Sequence, residues 1–185
     1  MTDQEWKDYC DDLSKAFQNR EKTKIDNENK EYDAAVNMSM LDNCSRIFML
    51  SRKMSVFFNS FYDDENFENL EKRRKVVKDS LEKFFEKEGS RMIVMVTEKP
   101  KTGDFLLGEE KLRELVDKLK LWIYKVPKDI AYGVPHFTIA DQSAVRIEHN
   151  DEKKTATCVF HDDQMIACLK DSFETFKAYS TLISF

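Results

Sequence analysis

The order of apolar patterns along the chain restricts its fold more than any single motif does. Short apolar runs alternate with stretches in which apolar residues recur every three or four positions. This alternation predicts buried strands separated by amphipathic helices, as in a parallel sheet with crossover helices. The predicted order is a strand at 47–50, a helix at 64–88, a strand at 92–96, a helix at 109–120 and a strand at 121–126.

The pattern changes after a loop at 127–135. A tight turn at Asp141 and Gln142 joins two predicted strands, and a third strand and a helix follow. Either Asp162 or Asp163 is a suitable N-cap for that helix. An antiparallel hairpin added to parallel strands predicts an α/β fold, with a mixed sheet covered by helices on both faces. The three predicted strands are 136–140, 143–149 and 155–160.

The first 44 residues contain neither glycine nor proline, and their apolar spacing is helical. We therefore expect residues 3–44 to be helical throughout. The charged stretch from Asn19 to Glu31 is either an exposed continuation of one long helix or a loop between two helices. The predicted organisation is an N-terminal helical segment at 1–44 followed by an α/β domain at 45–185.

Composition narrows the classes of function. A chain of 185 residues is long enough for one domain with a substantial core. The net charge of −5 argues against a surface that is basic overall, although a local basic patch is compatible with it. The polar, acidic start is unlike a secretory signal, and no apolar run approaches the roughly 20 residues of a membrane helix. These features predict a cytoplasmic protein with reduced thiols and no membrane association.

The window 133–148 brings four ionisable side chains together on the predicted hairpin: His136, Asp141, Arg146 and Glu148. Arg146 and Glu148 share one face of a strand, since side chains alternate, and we expect Asp141 near their end of the hairpin. One interpretation is a site that recognises an anion or a nucleotide through Arg146. The other is a structural ion pair that steadies the hairpin, and we favour it. No spacing predicts a metal centre or a cofactor.

The run from His136 to Asp141, followed by a second strand, resembles the core of one half of a phospholipase D-like domain. That family carries His-x-Lys-x4-Asp, usually followed by Gly-Ser-x-Asn. The resemblance covers roughly residues 45–181 and implies an α/β half-domain that pairs as a homodimer. It places Val134 where the family has its nucleophilic histidine and His136 where the family has its lysine. Since a valine can neither attack phosphorus nor carry a proton, the resemblance implies a degenerate, non-catalytic copy.

Three hypotheses follow for the function. The first is a non-catalytic phospholipase D-like module that recognises a phosphate-bearing ligand or a protein partner, in bacterial regulation or genome defence. The second is a divergent nuclease or phosphodiesterase that uses His136 and Asp141 as catalytic residues, aided by Arg146 and Glu148. The third is an interaction adaptor that binds its partner through the N-terminal helices.

Overall fold

A single mixed sheet organises the chain. The computed structural model describes residues 1–27, 29–63, 69–141, 143–150 and 155–185, and within them eight strands and five α-helices are found. The strands are β1 Thr23–Asn27, β2 Arg46–Ser51, β3 Arg91–Val96, β4 Leu121–Lys125, β5 Phe137–Ala140, β6 Ala144–Asn150, β7 Thr155–Phe160 and β8 Thr181–Leu182. The helices are α1 Asp3–Asn19, α2 Lys30–Asn43, α3 Leu70–Glu86, α4 Glu109–Asp117 and α5 Asp163–Ala178.

The sheet has the order β1-β7-β6-β5-β2-β3-β4-β8. The three central strands β2, β3 and β4 are parallel, because α3 and α4 return the chain to the same edge each time. The hairpin β5–β6 and the strand β7 extend the sheet antiparallel from β2. The predicted mixed sheet is therefore confirmed.

Helices cover both faces of the sheet, also as predicted. One apolar core lies between the sheet and α1 to α4, with Leu13, Leu41, Leu81 and Leu112 among its buried residues. A second, smaller core lies under α5 and is centred on Phe173. The same strands contribute to both cores, since alternate side chains point to opposite faces.

The prediction that residues 3–44 are helical throughout is wrong in its middle. Thr23–Asn27 is a strand that pairs antiparallel with β7 along its whole length, so the N-terminal stretch adds an edge to the sheet. The pairing with β7 outweighs the local propensity of this highly charged segment. On either side, α1 begins with a capping box between Thr2 and Glu5, and α2 begins at the N-cap Asn29.

Element boundaries differ from the predictions by a few residues. The helix predicted at 64–88 begins at Leu70, and residues 64–68 lie outside the described residues, as do Gln142 and 151–154. The two-residue strand β8, which pairs with β4, was not predicted. Among the described residues, none of the helices has the length and apolar content to span a bilayer.

Candidate functional site

Arg146, Glu148 and His136 meet at the edge of the sheet where β2 ends. Arg146 and Glu148 lie on β6 and point towards α2. Their neighbours Val145 and Ile147 point to the opposite face and pack on the α5 side. The three side chains border a small cavity of about 20 Å³, which has room for about one water molecule. Its remaining walls come from α2, the end of β2, the start of β5 and residues 54–56, where a short 3-10 helix begins.

Arg146 is held between two carboxylates. It is only 4% exposed. Its Nη1 donates to Oε2 of Glu148 at 3.2 Å, and its Nη2 lies 2.8 Å from Oδ1 of Asp33 on α2. Neither Nη2 nor Nε forms a hydrogen bond among the described residues, so the contact with Asp33 is an ion pair. The predicted ion pair of Arg146 with Glu148 is present, and Asp33 enlarges it to a triad.

The electrostatics of this triad keep Arg146 charged. Burial alone disfavours the guanidinium charge, but Asp33 and Glu148 outweigh this effect and raise the pKa of Arg146. Because two carboxylates face one guanidinium, the triad carries a formal charge of −1 when both are ionised. An incoming phosphate would meet a guanidinium that is already neutralised, so Arg146 is poorly placed to bind an anion.

His136 is the accessible member of the group. It lies one residue before β5 with its side chain 21% exposed, and Nδ1 is 3.9 Å from Oε2 of Glu148. Its backbone oxygen accepts a hydrogen bond of 2.8 Å from the amide of Glu148, which fixes the start of the hairpin. This arrangement places an imidazole and a carboxylate together at the mouth of the cavity, with the imidazole as the more exposed of the two.

Asp141 lies at the opposite end of β5, and the expectation that it joins Arg146 and Glu148 is wrong. Its Oδ2 accepts a hydrogen bond of 2.8 Å from the amide of Ser45, just before β2 begins, while His136 is at the end where β2 stops. The backbone of Asp141 is left-handed, with φ of 49°, as a tight turn requires. Asp141 therefore closes a turn and ties it to β2, away from the cavity.

Sequence reasoning missed the contribution of α2. Asp33 and Asn37 are both buried, and Nδ2 of Asn37 donates to Oδ1 of Asp33 at 2.9 Å, which orients the carboxylate towards Arg146. The signal was present, since Asp33 precedes the apolar run Ala34 to Val36 and its i+4 neighbour is also polar. An acid on the buried face of a helix implies a buried cation as its partner.

None of the other histidines and none of the cysteines lines the cavity described here. Nε2 of His149 lies 2.7 Å from Oγ1 of Thr157, and Nε2 of His161 lies 3.0 Å from the backbone oxygen of Ala16. In the described part of the chain, no three His, Cys, Asp or Glu side chains are grouped as metal ligands would be. Cys44 and Cys158 are buried, and Cys168 is exposed.

Comparison with known proteins identifies the architecture. No family model matches the sequence, and no curated protein sequence is significantly similar to it. Solved structures are similar. Nuc from Salmonella typhimurium, a phospholipase D family member, has a TM-score of 0.55 over 89% of this chain and 100% of its own, at 9% identity.

Two further structures show the same likeness. TrmBL2, an archaeal chromatin protein, has a TM-score of 0.58 at 13% identity over 86% of this chain. This chain spans about half the length of TrmBL2, 54%. Phosphatidylserine synthase from Haemophilus influenzae Rd KW20 has a TM-score of 0.53 at 8% identity over 88% of this chain and 39% of its own. The chain is thus an α/β domain whose mixed sheet is flanked by helices. Its fold is that of the phospholipase D-like proteins.

Proposed function

We propose that this chain is a non-catalytic phospholipase D-like module that acts by binding. The observation that carries the proposal is the closed triad of Asp33, Arg146 and Glu148. It occupies the cavity beside His136 and leaves about 20 Å³, whereas ligand pockets usually have several hundred. A phosphodiester would not fit there unless the triad came apart, which would leave charges buried without partners.

The position of Val134 supports the same conclusion. The resemblance places this residue where phospholipase D-like enzymes carry the attacking histidine. Val134 packs with the apolar core on the α5 side of the sheet, whereas the triad lies on the α2 side. Its side chain therefore neither supplies a nucleophile nor faces the cavity.

Assays of hydrolysis test the proposal directly. We expect the purified protein to hydrolyse neither DNA, RNA, phospholipid nor a nitrophenyl phosphodiester, in the presence or absence of chelator. The variant His136→Ala is the matched control, because His136 is the only imidazole that lines the described cavity. Turnover that survives repeated purification and is lost in His136→Ala would overturn the proposal in favour of a divergent phosphodiesterase using His136.

The ligand and the setting are part of the proposal. Similarity of fold to a chromatin protein and to a phospholipase D family member supports a phosphate-bearing ligand or a protein partner, in a cytoplasmic role such as bacterial regulation or genome defence. His136 would contact the bound molecule beside the cavity, while Arg146 and Glu148 hold the imidazole in place. The fold resemblance also supports a homodimer, for which light scattering should give about twice 21.9 kDa. A monomer at every accessible concentration would contradict this part.

The adaptor hypothesis receives less support from the structure. The apolar residues of α1 and α2, including Trp6, Leu13 and Leu41, are buried against the rest of the chain. These helices have therefore already used the surface that a partner would need.

A further inference from the structure

Five cations surround the carboxyl ends of the three parallel strands, and we call them the basic rim. Arg52 and Lys53 follow β2, Lys99 and Lys101 follow β3, and Lys128 follows β4. The loops after parallel strands emerge at one edge of a sheet, so the fold gathers these residues although they are far apart in sequence. The cations border or adjoin a groove of about 350 Å³, lined by Lys53, Lys99 and Lys101 together with Phe58, Glu98 and Asp104.

The acidic residues of this edge neutralise only part of the charge. Glu98 contacts three members of the rim, at 2.9 Å from Nε of Arg52, 3.4 Å from Nζ of Lys53 and 3.6 Å from Nζ of Lys128. The hydrogen bond from Arg52 lowers the pKa of Glu98, so this carboxylate stays ionised at neutral pH. The carboxylate of Asp104 accepts hydrogen bonds from the amide and the hydroxyl of Ser60.

Two lysines of the rim have no acidic partner. Among the described residues, neither Lys99 nor Lys101 forms an ion pair, and both side chains belong to exposed residues; Nζ of Lys99 lies over the ring of Phe185 at 6.0 Å. Even if Asp129, beside Lys128, and Glu109, whose carboxylate lies near Gly103, are counted with Glu98 and Asp104, the five cations outnumber the four acids among the described residues. A positive edge on a chain of net charge −5 is a local feature that composition does not reveal.

The spacing of the rim indicates a ligand with several phosphates. Its cations are spread over three adjacent strands, about 10 Å across at the usual strand separation, and do not converge on one point. A single phosphate would engage one or two of them, whereas a polyphosphate backbone passing along the edge would engage most. The loop that carries Lys128 also presents Tyr132, which is 89% exposed and offers a face on which a base can stack.

We infer that the basic rim binds single-stranded nucleic acid without sequence preference, through its phosphates and through stacking on Tyr132. This inference deepens the proposed function, on which it rests, by naming the phosphate-bearing ligand. It places the phosphates of that ligand on the basic rim rather than in the cavity beside His136, where the triad of Asp33, Arg146 and Glu148 leaves no guanidinium free among the described residues.

Fluorescence anisotropy with a labelled single-stranded DNA of mixed sequence tests the inference on the full chain. With the double variant Lys99→Glu, Lys101→Glu we expect binding at low salt to weaken at least about tenfold. The slope of log affinity against log salt should fall by about 1.4, since each phosphate contact on a single strand contributes about 0.7. Tyr132→Ala should weaken single-stranded binding by about tenfold and leave duplex binding nearly unchanged.

The double variant Lys75→Glu, Lys78→Glu is the matched control, because it makes the same change of charge at exposed positions on α3. Binding that it reduces as much as the rim variant does would reflect the net charge of the chain and would overturn the inference. So would the absence of binding at low salt, or a preference for a polyglutamate peptide, which would indicate an acidic protein partner. Melting curves of the variants verify that they are folded.

The same samples separate this inference from the proposed function. Shortening of the DNA on a gel would contradict the non-catalytic proposal, yet would leave the rim as the binding surface if the lysine variant still lost affinity. Unchanged DNA with no rim-dependent binding would refute the inference and leave the non-catalytic proposal standing.

Discussion

Among the described residues two arginines are buried, Arg73 on α3 and Arg146 on β6. They differ in how exposed their carboxylate partners are and in which other cations lie near those partners. Arg73 is 2% exposed and Arg146 is 4% exposed, and each faces two carboxylates. The carboxylate of Asp3, which pairs with Arg73, is 56% exposed and also contacts Lys72. Both partners of Arg146 are themselves buried.

The carboxylates that face Arg73 have other cations beside them, whereas those that face Arg146 do not have a second permanent cation among the described residues. Glu31, the second partner of Arg73, also lies 3.3 Å from the ammonium group of Met1, and Arg73 stacks over Trp6 at 4.3 Å. If Arg73 were removed, its carboxylates would keep other cations. Among the described residues, Asp33 would keep the neutral amide of Asn37, and Glu148 would keep the imidazole of His136, neither of which is a permanent cation. We therefore expect the loss of Arg146 to destabilise the fold more than the loss of Arg73 does.

Arg146→Ala should have the largest effect on stability. Removing the guanidinium leaves two carboxylates buried near each other, so we expect a loss of about 3–5 kcal/mol in the free energy of unfolding by urea. Arg113→Ala is the matched control, because Arg113 is half exposed on α4 and its removal should cost little. If Arg146→Ala and Glu148→Ala both melted within about 1 °C of the wild type, the structural role of the triad would be refuted.

The two arginines also show what the sequence can and cannot predict. Period-two alternation placed Arg146 and Glu148 on one face of a strand, which the structure confirms, and the apolar runs located the three parallel strands correctly. The partner Asp33 lies more than one hundred residues earlier, and no local pattern specifies which helix packs over which strand. The strand β1 was missed for the same reason, since its residues are polar and only the pairing with β7 defines it.

The site itself was only half predictable. His136 and Asp141 belong to one short motif in sequence. Because a strand rises about 3.3 Å per residue, they lie at opposite ends of β5. The basic rim has no sequence signature at all. Its members come from three loops, and only the parallel arrangement of β2, β3 and β4 brings them to one edge.

Arg73→Ala should have a smaller effect than Arg146→Ala. Both of its carboxylates retain a cation, so the loss is limited to a hydrogen bond and the contact with the Trp6 ring. We expect about 2 kcal/mol by urea unfolding. A cost equal to that of Arg146→Ala would show that Lys72 and the Met1 ammonium do not compensate, and would remove the proposed distinction between the two sites.

A thiol near each arginine, fully buried for Cys158 and partly buried for Cys10, predicts a pH dependence of stability. Burial raises the pKa of Cys158, near Arg146, to about 12 and that of Cys10, near Arg73, to about 11. The unfolded thiol ionises near 8.5, so stability is complete below that pH and decreases as the pH rises towards the folded value. At pH 9.5 the fully buried Cys158 should account for about 1.4 kcal/mol of the loss.

Cysteine variants separate the two thiols. Cys158→Ala should flatten the dependence of the unfolding free energy on pH from 8 up to about 12, whereas Cys10→Ala should flatten it only up to about pH 11, because the partly exposed Cys10 ionises first in the folded chain. Equal slopes in both variants would indicate that the surroundings of Arg73 are as well shielded from water as those of Arg146.

Asp3→Asn should have the smallest effect. Lys72 and Arg73 lower the pKa of Asp3, and a lowered pKa contributes stability above the ordinary value that is lost as the pH falls. Because this carboxylate is exposed, solvent screens the interaction, and we expect the acid unfolding midpoints of Asp3→Asn and the wild type to coincide. Asp8→Asn, on the same helix, is the control for loss of a surface charge. An acid midpoint for Asp3→Asn that differed clearly from both would mean that Arg73 depends on Asp3 as Arg146 depends on Asp33, and the two buried arginines would then belong to one class.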